Sequence, residues 1–208
     1  MSIITFIIPT IGRDTLQRSI QSLIDQTNPN WNAIVVFDGI EPNIICDDAR
    51  VNIMQCNKLG ENHENMNNSA GNVRNYAVPF LETEWIGFLD DDDTLAPDYI
   101  ETLCSEFSTY PELDVLIFRM KHNQYGIIPS LDNRNITWSN VGISFSLKAK
   151  IMKQDGILFT PSHTEDFDFL NRIRENSYKI IIHPLVKYFV RDTPHPIEEE
   201  GVRSTINF

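Results

Sequence analysis

The sequence predicts an α/β fold in one domain, with a mostly parallel central sheet flanked by helices. Three observations carry that reading. Two β-rich apolar runs, residues 3–8 and 33–37, are separated by an amphipathic segment of helical period, the spacing of a right-handed βαβ unit. A third apolar run, residues 85–89, empties directly into four consecutive aspartates, Asp90 to Asp93. No internal repeat or linker-like stretch divides the chain.

Each element follows in order. Pro9 is expected to end the first strand. Thr10-Ile11-Gly12-Arg13 then reads as a turn. Asp14 can cap a helix whose Leu16, Ile20, Leu23 and Ile24 fall at i, i+4, i+7 and i+8, and Asn28-Pro29-Asn30 stops it. The second strand leaves through Asp38-Gly39, a common turn pair. Loops after parallel strands gather at the carboxyl edge of the sheet, where ligands bind in such folds. That edge would hold Thr10, Asp38 and Asp90. No GxGxxG follows the first strand, so a dinucleotide-binding reading loses its main support.

Residues 51–56 read as a short third strand, and 70–77 as a helix reaching Pro79. Arg74 in that helix is either a surface cation or a counter-charge for phosphate or carboxylate. Pro97 is expected in the first turn of a helix running to about Ser108, with Asp98 and Glu101 near its positive end. Residues 114–120 form another strand, and 122–150 a polar hairpin and loop. Ser162 or Thr164 caps a helix carrying Phe167, Leu170, Ile173 and Arg174, with Glu165 and Asp166 as acids of its first turn. Residues 178–190 read as a late strand split by His183-Pro184, followed by a loop-like tail, 191–208.

The aspartate run holds the strongest chemical signal. Four adjacent carboxylates repel one another, and a fold that holds them at a strand end gains from a cation. Side chains alternate along extended chain, so Asp90 and Asp92 can point to one side together. Oxygen-only ligands suit Mg²⁺ or Mn²⁺. A solvated acidic loop is the plainer alternative. A calcium-binding helix–loop–helix fails, because Leu95 stands where its turn glycine belongs, Pro97 sits inside the loop, and a strand precedes it.

Bulk properties narrow the classes further. The chain has 208 residues, 41% hydrophobic and 22% charged, an ordinary globular composition. Its net charge of -12 makes a nucleic-acid backbone an unsuitable partner. Cys46, Cys56 and Cys104 are widely spaced, with no CxxC, and read as reduced thiols. With neither a secretory leader nor a transmembrane run in view, the expectation is a cytoplasmic protein, free or peripheral to a membrane.

Taken together, residues 6–10, the strand ending at Asp38, Gly71 with Arg74-Asn75, the run 88–93 and Thr164-Glu165-Asp166 resemble the family 2 glycosyltransferases, inverting enzymes of the Rossmann-like GT-A fold. The resemblance spans about residues 1–190 and implies a GT-A domain there, with 191–208 closing over or near the active site. It implies a nucleoside-diphosphate-sugar donor, with UDP-sugar favoured, a glycan or other hydroxyl acceptor, and Mn²⁺ or Mg²⁺. Thr10 and Arg13 would line the nucleotide pocket, and Asp38 would accept from the base. Arg74 would lie near the base or diphosphate. Asp90 would contact the ribose, with Asp91 beside it. Asp92 would hold the metal, supported by Asp93 and by a histidine, His195 before His183. Asp166 would be the general base, with Glu165 beside it. Two other classes remain: a sugar-nucleotide pyrophosphorylase, which lacks its basic glycine-rich loop here, and a non-catalytic sugar-nucleotide-binding homologue.

Overall fold

The computed structural model describes residues 2–60, 70–162 and 164–190. Strand β1 (Ile4–Thr10) is buried along its whole length, with β2 (Trp31–Asp38) parallel on one side and β4 (Trp85–Phe88) parallel on the other. Pro9 lies inside β1 and does not end it. The Ile7 carbonyl accepts from Leu89 N–H on the β4 side. Backbone groups alternate sides along a strand, so Pro9 faces the same side just where β4 has stopped. Its missing N–H therefore breaks no ladder bond.

Helix α1 (Leu16–Ile24) joins β1 to β2 and buries Leu16, Ile20 and Leu23. It starts one residue later than expected, with Thr15 at the cap position in place of Asp14. Strand β3 (Val51–Cys56) pairs parallel with β2 and forms that edge of the sheet. Helix α2 (Gly71–Ala77) continues into a 3-10 turn, Val78–Phe80. After β4 come β5 (Thr94–Leu95), α3 (Tyr99–Thr109), β6 (Val115–His122) and β7 (Gly126–Ile128), which forms a hairpin with β6. Strand β8 (Phe145–Lys148), α4 (Lys150–Lys153), α5 (Glu165–Glu175) and β9 (Ile180–Val190) complete the described chain.

Among the described residues the sheet runs β3-β2-β1-β4-β8-β6-β9-β5. Strands β1 to β4 are parallel neighbours, whereas β8 is antiparallel to both β4 and β6. That strand falls in the stretch read as hairpin and loop. Its polar residues hid it: Ser144 and Ser146 are fully buried, and their hydroxyls are satisfied by the Phe118 carbonyl (2.6 Å) and the Tyr99 hydroxyl (3.0 Å). Strand β9 is continuous, not split. Ile182 pairs with Ile117 and Val186 with Arg119, so the chain bulges around Pro184 and resumes its ladder.

Aromatic packing under the sheet sets the position of α5. Phe159 stacks on Phe169 at 4.1 Å, and Phe88 meets Phe159 edge-on at 5.3 Å. Phe169, Leu170 and Ile173 are the fully buried residues of α5, while Phe167 is only partly buried. Asp166 lies three and four residues before Phe169 and Leu170, so it shares their inward face. Cys46, Cys56 and Cys104 are free thiols.

Candidate active site

The C-terminal ends of β1, β2 and β4 open into one cleft of about 190 Å³, bounded on the far side by the first turns of α2 and α5. Thr10, Arg13, Asp38, Lys58, Arg74, Asp90, Asp91, Asp92, Glu165 and Asp166 all line it. The sequence reading placed most of these residues together. Lys58 it did not single out, since a lone lysine beside a turn carries no pattern.

The aspartate run is a tight turn. Asp93 N–H donates to the Asp90 carbonyl (3.2 Å), and burial alternates along it: Asp91 and Asp93 are buried, Asp90 and Asp92 half-open. Asp91 accepts from the Thr10 hydroxyl (2.6 Å) and from Arg13 (3.1 Å), which ties the β1 and β4 loops together. Burial pushes its carboxyl above the usual range, opposed by the Thr10 bond and the Arg13 charge. Arg13 also reaches the Asp92 carboxylate (2.8 Å), and Arg18 donates to the Asp92 carbonyl. On the other face, the buried Tyr188 hydroxyl accepts from Asp90 N–H (3.1 Å) and bonds Asp93. Asp93 therefore braces the turn.

Arg74 is buried, at 3% exposed, and is not a surface cation. Its guanidinium bridges Asp90 (2.6 Å) and Glu165 (2.8 Å), over the Phe159 ring at 5.4 Å from its centroid. Glu165 also accepts from the backbone N–H groups of Gly71 (3.0 Å) and Ala70 (3.3 Å) at the start of α2. It joins α5 to α2. A Cβ on Gly71 would come 2.7 Å from both Glu165 Oε2 and the Phe159 Cβ. Gly71→Ala is therefore expected to destabilise the chain by about 1–3 kcal/mol, reversing the usual helix gain of alanine over glycine. Urea melts of the two proteins would read this directly.

Asp166 differs from its neighbour. Its Oδ1 is buried with no hydrogen-bond partner, while the side chain as a whole stays half-open on the cleft. Desolvation pushes its pKa up to about 7, reinforced by the Asp90 and Glu165 charges and opposed by Arg74. At neutral pH such a group can take or give a proton.

At the other end of the cleft, Asp38 is 3% exposed and accepts from Lys58 Nζ, Leu59 N–H (2.6 Å) and Gly60 N–H (3.1 Å). It organises the loop that follows β3. His183 is not near the aspartates: it is buried beside Glu106 (3.6 Å) and Phe118. His195 and the tail 191–208 lie outside the described residues.

A profile described as Glycosyl transferase family 2 matches residues 5–166, from β1 through the first turn of α5. The chain belongs to glycosyl transferase family 2. TuaG of Bacillus subtilis (strain 168), named as a teichuronic acid biosynthesis glycosyltransferase, is 29% identical over 94 residues, covering 43% of this chain and 35% of TuaG. The fold matches crystal structures of S. aureus TarS 1-349. The complex with UDP-GlcNAc gives a TM-score of 0.69 at 17% identity, over 92% of this chain and 59% of that one. TarS 1-349 without a named ligand gives 0.67 at 18%, over 91% and 60%. This family 2 chain thus spans about a third of TuaG and three-fifths of TarS 1-349.

The family resemblance implies a divalent ion. Among the described residues no three His, Cys, Asp or Glu side chains converge as a metal cage. Asp92, half-open on the cleft wall, is the carboxylate that would hold such an ion. Among the described residues, no helix is long and apolar enough to cross a membrane.

Proposed function

We propose that this chain moves a sugar from a nucleoside-diphosphate-sugar, with UDP-sugar favoured, to an acceptor hydroxyl, inverting the anomeric carbon in one displacement. The observation that carries the proposal is the half-open Asp166 carboxyl, its pKa raised to about 7, in the same cleft as the aspartate turn. A hydroxyl is a weak nucleophile, and a carboxylate within hydrogen-bond reach of its proton is the direct remedy. Asp166 takes that proton on its cleft-facing carboxylate as the hydroxyl attacks the anomeric carbon and the diphosphate leaves. Glu165 cannot share the task equally, because Arg74 and the α2 backbone hold it.

Thr10, Arg13, Asp91 and Asp92 flank the middle of the cleft, where the donor diphosphate lies in this reading, and Asp90 faces its ribose. Asp92 would hold a Mn²⁺ or Mg²⁺, which when bound supplies positive charge to the departing diphosphate. Arg13 adds a cation beside it. The named UDP-GlcNAc complex of TarS supports a uridine donor.

The test is isothermal titration of UDP, GDP and dTDP, each with and without Mn²⁺. Micromolar binding of UDP that disappears with a chelator is expected. If no nucleotide binds with metal present, the aspartate turn serves some other purpose, and the donor assignment fails.

A further inference from the structure

We propose that Arg119 is a positioning residue for the base: it holds the loop 129–142 against Asp166 and so limits how much of that carboxyl water reaches. The inference goes beyond the proposed function and rests on its assignment of Asp166 as base. Arg119 lies on β6, is 2% exposed, and does not line the cleft. Its guanidinium donates to four carbonyl oxygens of one short stretch, those of Pro129 (2.5 Å), Ser130, Leu131 (3.4 Å) and Asn133 (3.2 Å). A guanidinium presents five N–H donors in a fixed planar fork, which suits it to gather several carbonyls at once.

The hold passes along the loop to α5. Ser130 N–H donates to the Asn140 side chain (3.3 Å), which ties the two legs of the loop together. Between those legs the buried Ile136 offers its carbonyl to Arg174 of α5 (3.3 Å). Two residues after Asn140 stands Gly142, where a Cβ would come 4.0 Å from Asp166 Oδ2 and 2.9 Å from the end of the Met120 side chain. Phe118 N–H donates to the Ser144 carbonyl (3.0 Å) and fixes the chain beyond. Residues 118–120 of β6 therefore grip the loop at both ends, and its second leg is pressed beside the Asp166 carboxyl.

The charges that face Asp166 come from other directions: Arg74 on α2, Asp90 in the aspartate turn and Glu165 on its own helix. From the loop and β6 it meets Gly142 and Met120, which carry none. What this side supplies is exclusion of water. Burial is the main cause that pushes the carboxyl up to about 7, where it suits proton transfer at neutral pH. Releasing the loop lets water in and favours the charged form.

Thermal melts at pH 8 test this by comparing each protein with its Asp166→Asn partner, in wild type, in Arg119→Met and in Asn140→Ala. In wild type the asparagine is expected to raise Tm by about 5–10 °C, because the shielded carboxyl is charged at that pH. In both loop variants the gain should shrink, most in Arg119→Met, by about a third or more. A purely structural loss would lower both members of a pair together and leave the gain as it was. An unchanged gain in both variants overturns the proposal, and if Arg119→Met does not fold, Asn140→Ala decides. UDP titration with Mn²⁺ is expected to match wild type in both variants; lost UDP binding would place their effect at the donor site and also overturn it. The base assignment is read separately, from the turnover of Asp166→Asn. Normal turnover there removes the base, and with it the part of Arg119 in the reaction, whatever the melts show.

Discussion

Asp166→Asn is expected to lower turnover by about 10²- to 10⁴-fold while leaving UDP affinity within a few-fold, because the amide keeps the shape of the carboxyl but cannot accept a proton. The same variant should be more stable than wild type at alkaline pH. The sign follows from the carboxyl's raised pKa of about 7 against an ordinary value of 3.8. The folded chain holds this proton more tightly than the unfolded chain, so the stabilisation is fully present below about pH 4 and is lost as pH rises towards 7. Asparagine mimics the protonated form at every pH. Its advantage should be absent below about pH 4 and reach roughly 2–4 kcal/mol above pH 7, or about 5–10 °C in Tm. In wild type, turnover should rise with pH through a limb near 7. Normal turnover in Asp166→Asn, or a Tm gain independent of pH, would remove Asp166 from its role as base.

Arg74→Met should be the most damaging single change to stability. It deletes the buried cation between Asp90 and Glu165 and leaves those two carboxylates and Asp166 without their shared counter-charge. Breaking a buried pair by removing one partner costs about 3–5 kcal/mol, a large share of the roughly 5–15 kcal/mol that holds a domain together. Lysine is no substitute, since one ammonium cannot span both carboxylates as the guanidinium fork does. The Arg74 charge also lowers the Asp166 pKa. An uncharged Arg74 variant that still folds should therefore show its activity limb moved to higher pH. Thermal melts and a pH–rate profile check both effects, and an unmoved limb would mean that Arg74 does not act on the base.

Much of this site was legible in the sequence because it depends on local period. Asp90 and Asp92 alternate in burial with Asp91 and Asp93, although the chain there is a turn closed by Asp93 N–H on the Asp90 carbonyl and not the extended strand the sequence suggested. Strands β1, β2 and β4 also announced themselves as apolar runs. What stayed hidden depends on partners distant in sequence. Arg74 could be a surface cation or a counter-charge until α5 brings Glu165 against it, 91 positions away. Pro9 looks like a strand end until β4 is seen to stop opposite it. Ser144 and Ser146 look like loop residues until Phe118 and Tyr99 satisfy their hydroxyls. Lys58 reads as an isolated surface charge until Asp38, 20 positions away, is seen to accept from it.

The placement of β8 bears on how the chain is made. Strand β4 needs a neighbour on its outer side, and that neighbour is Phe145–Lys148, about sixty residues downstream. During synthesis, β1 to β4 emerge with an open, apolar sheet edge that only later chain can close, and forming that non-local pairing is slow. Strand β6 cannot cover the edge alone, because it contacts this half through β8. The amino-terminal half is thus committed to wait for the carboxyl-terminal half. The aspartate turn at the end of β4, tied to the first strand's loop by Thr10 and Arg13, therefore gains its second set of contacts only when β8 closes the edge and Tyr188 arrives.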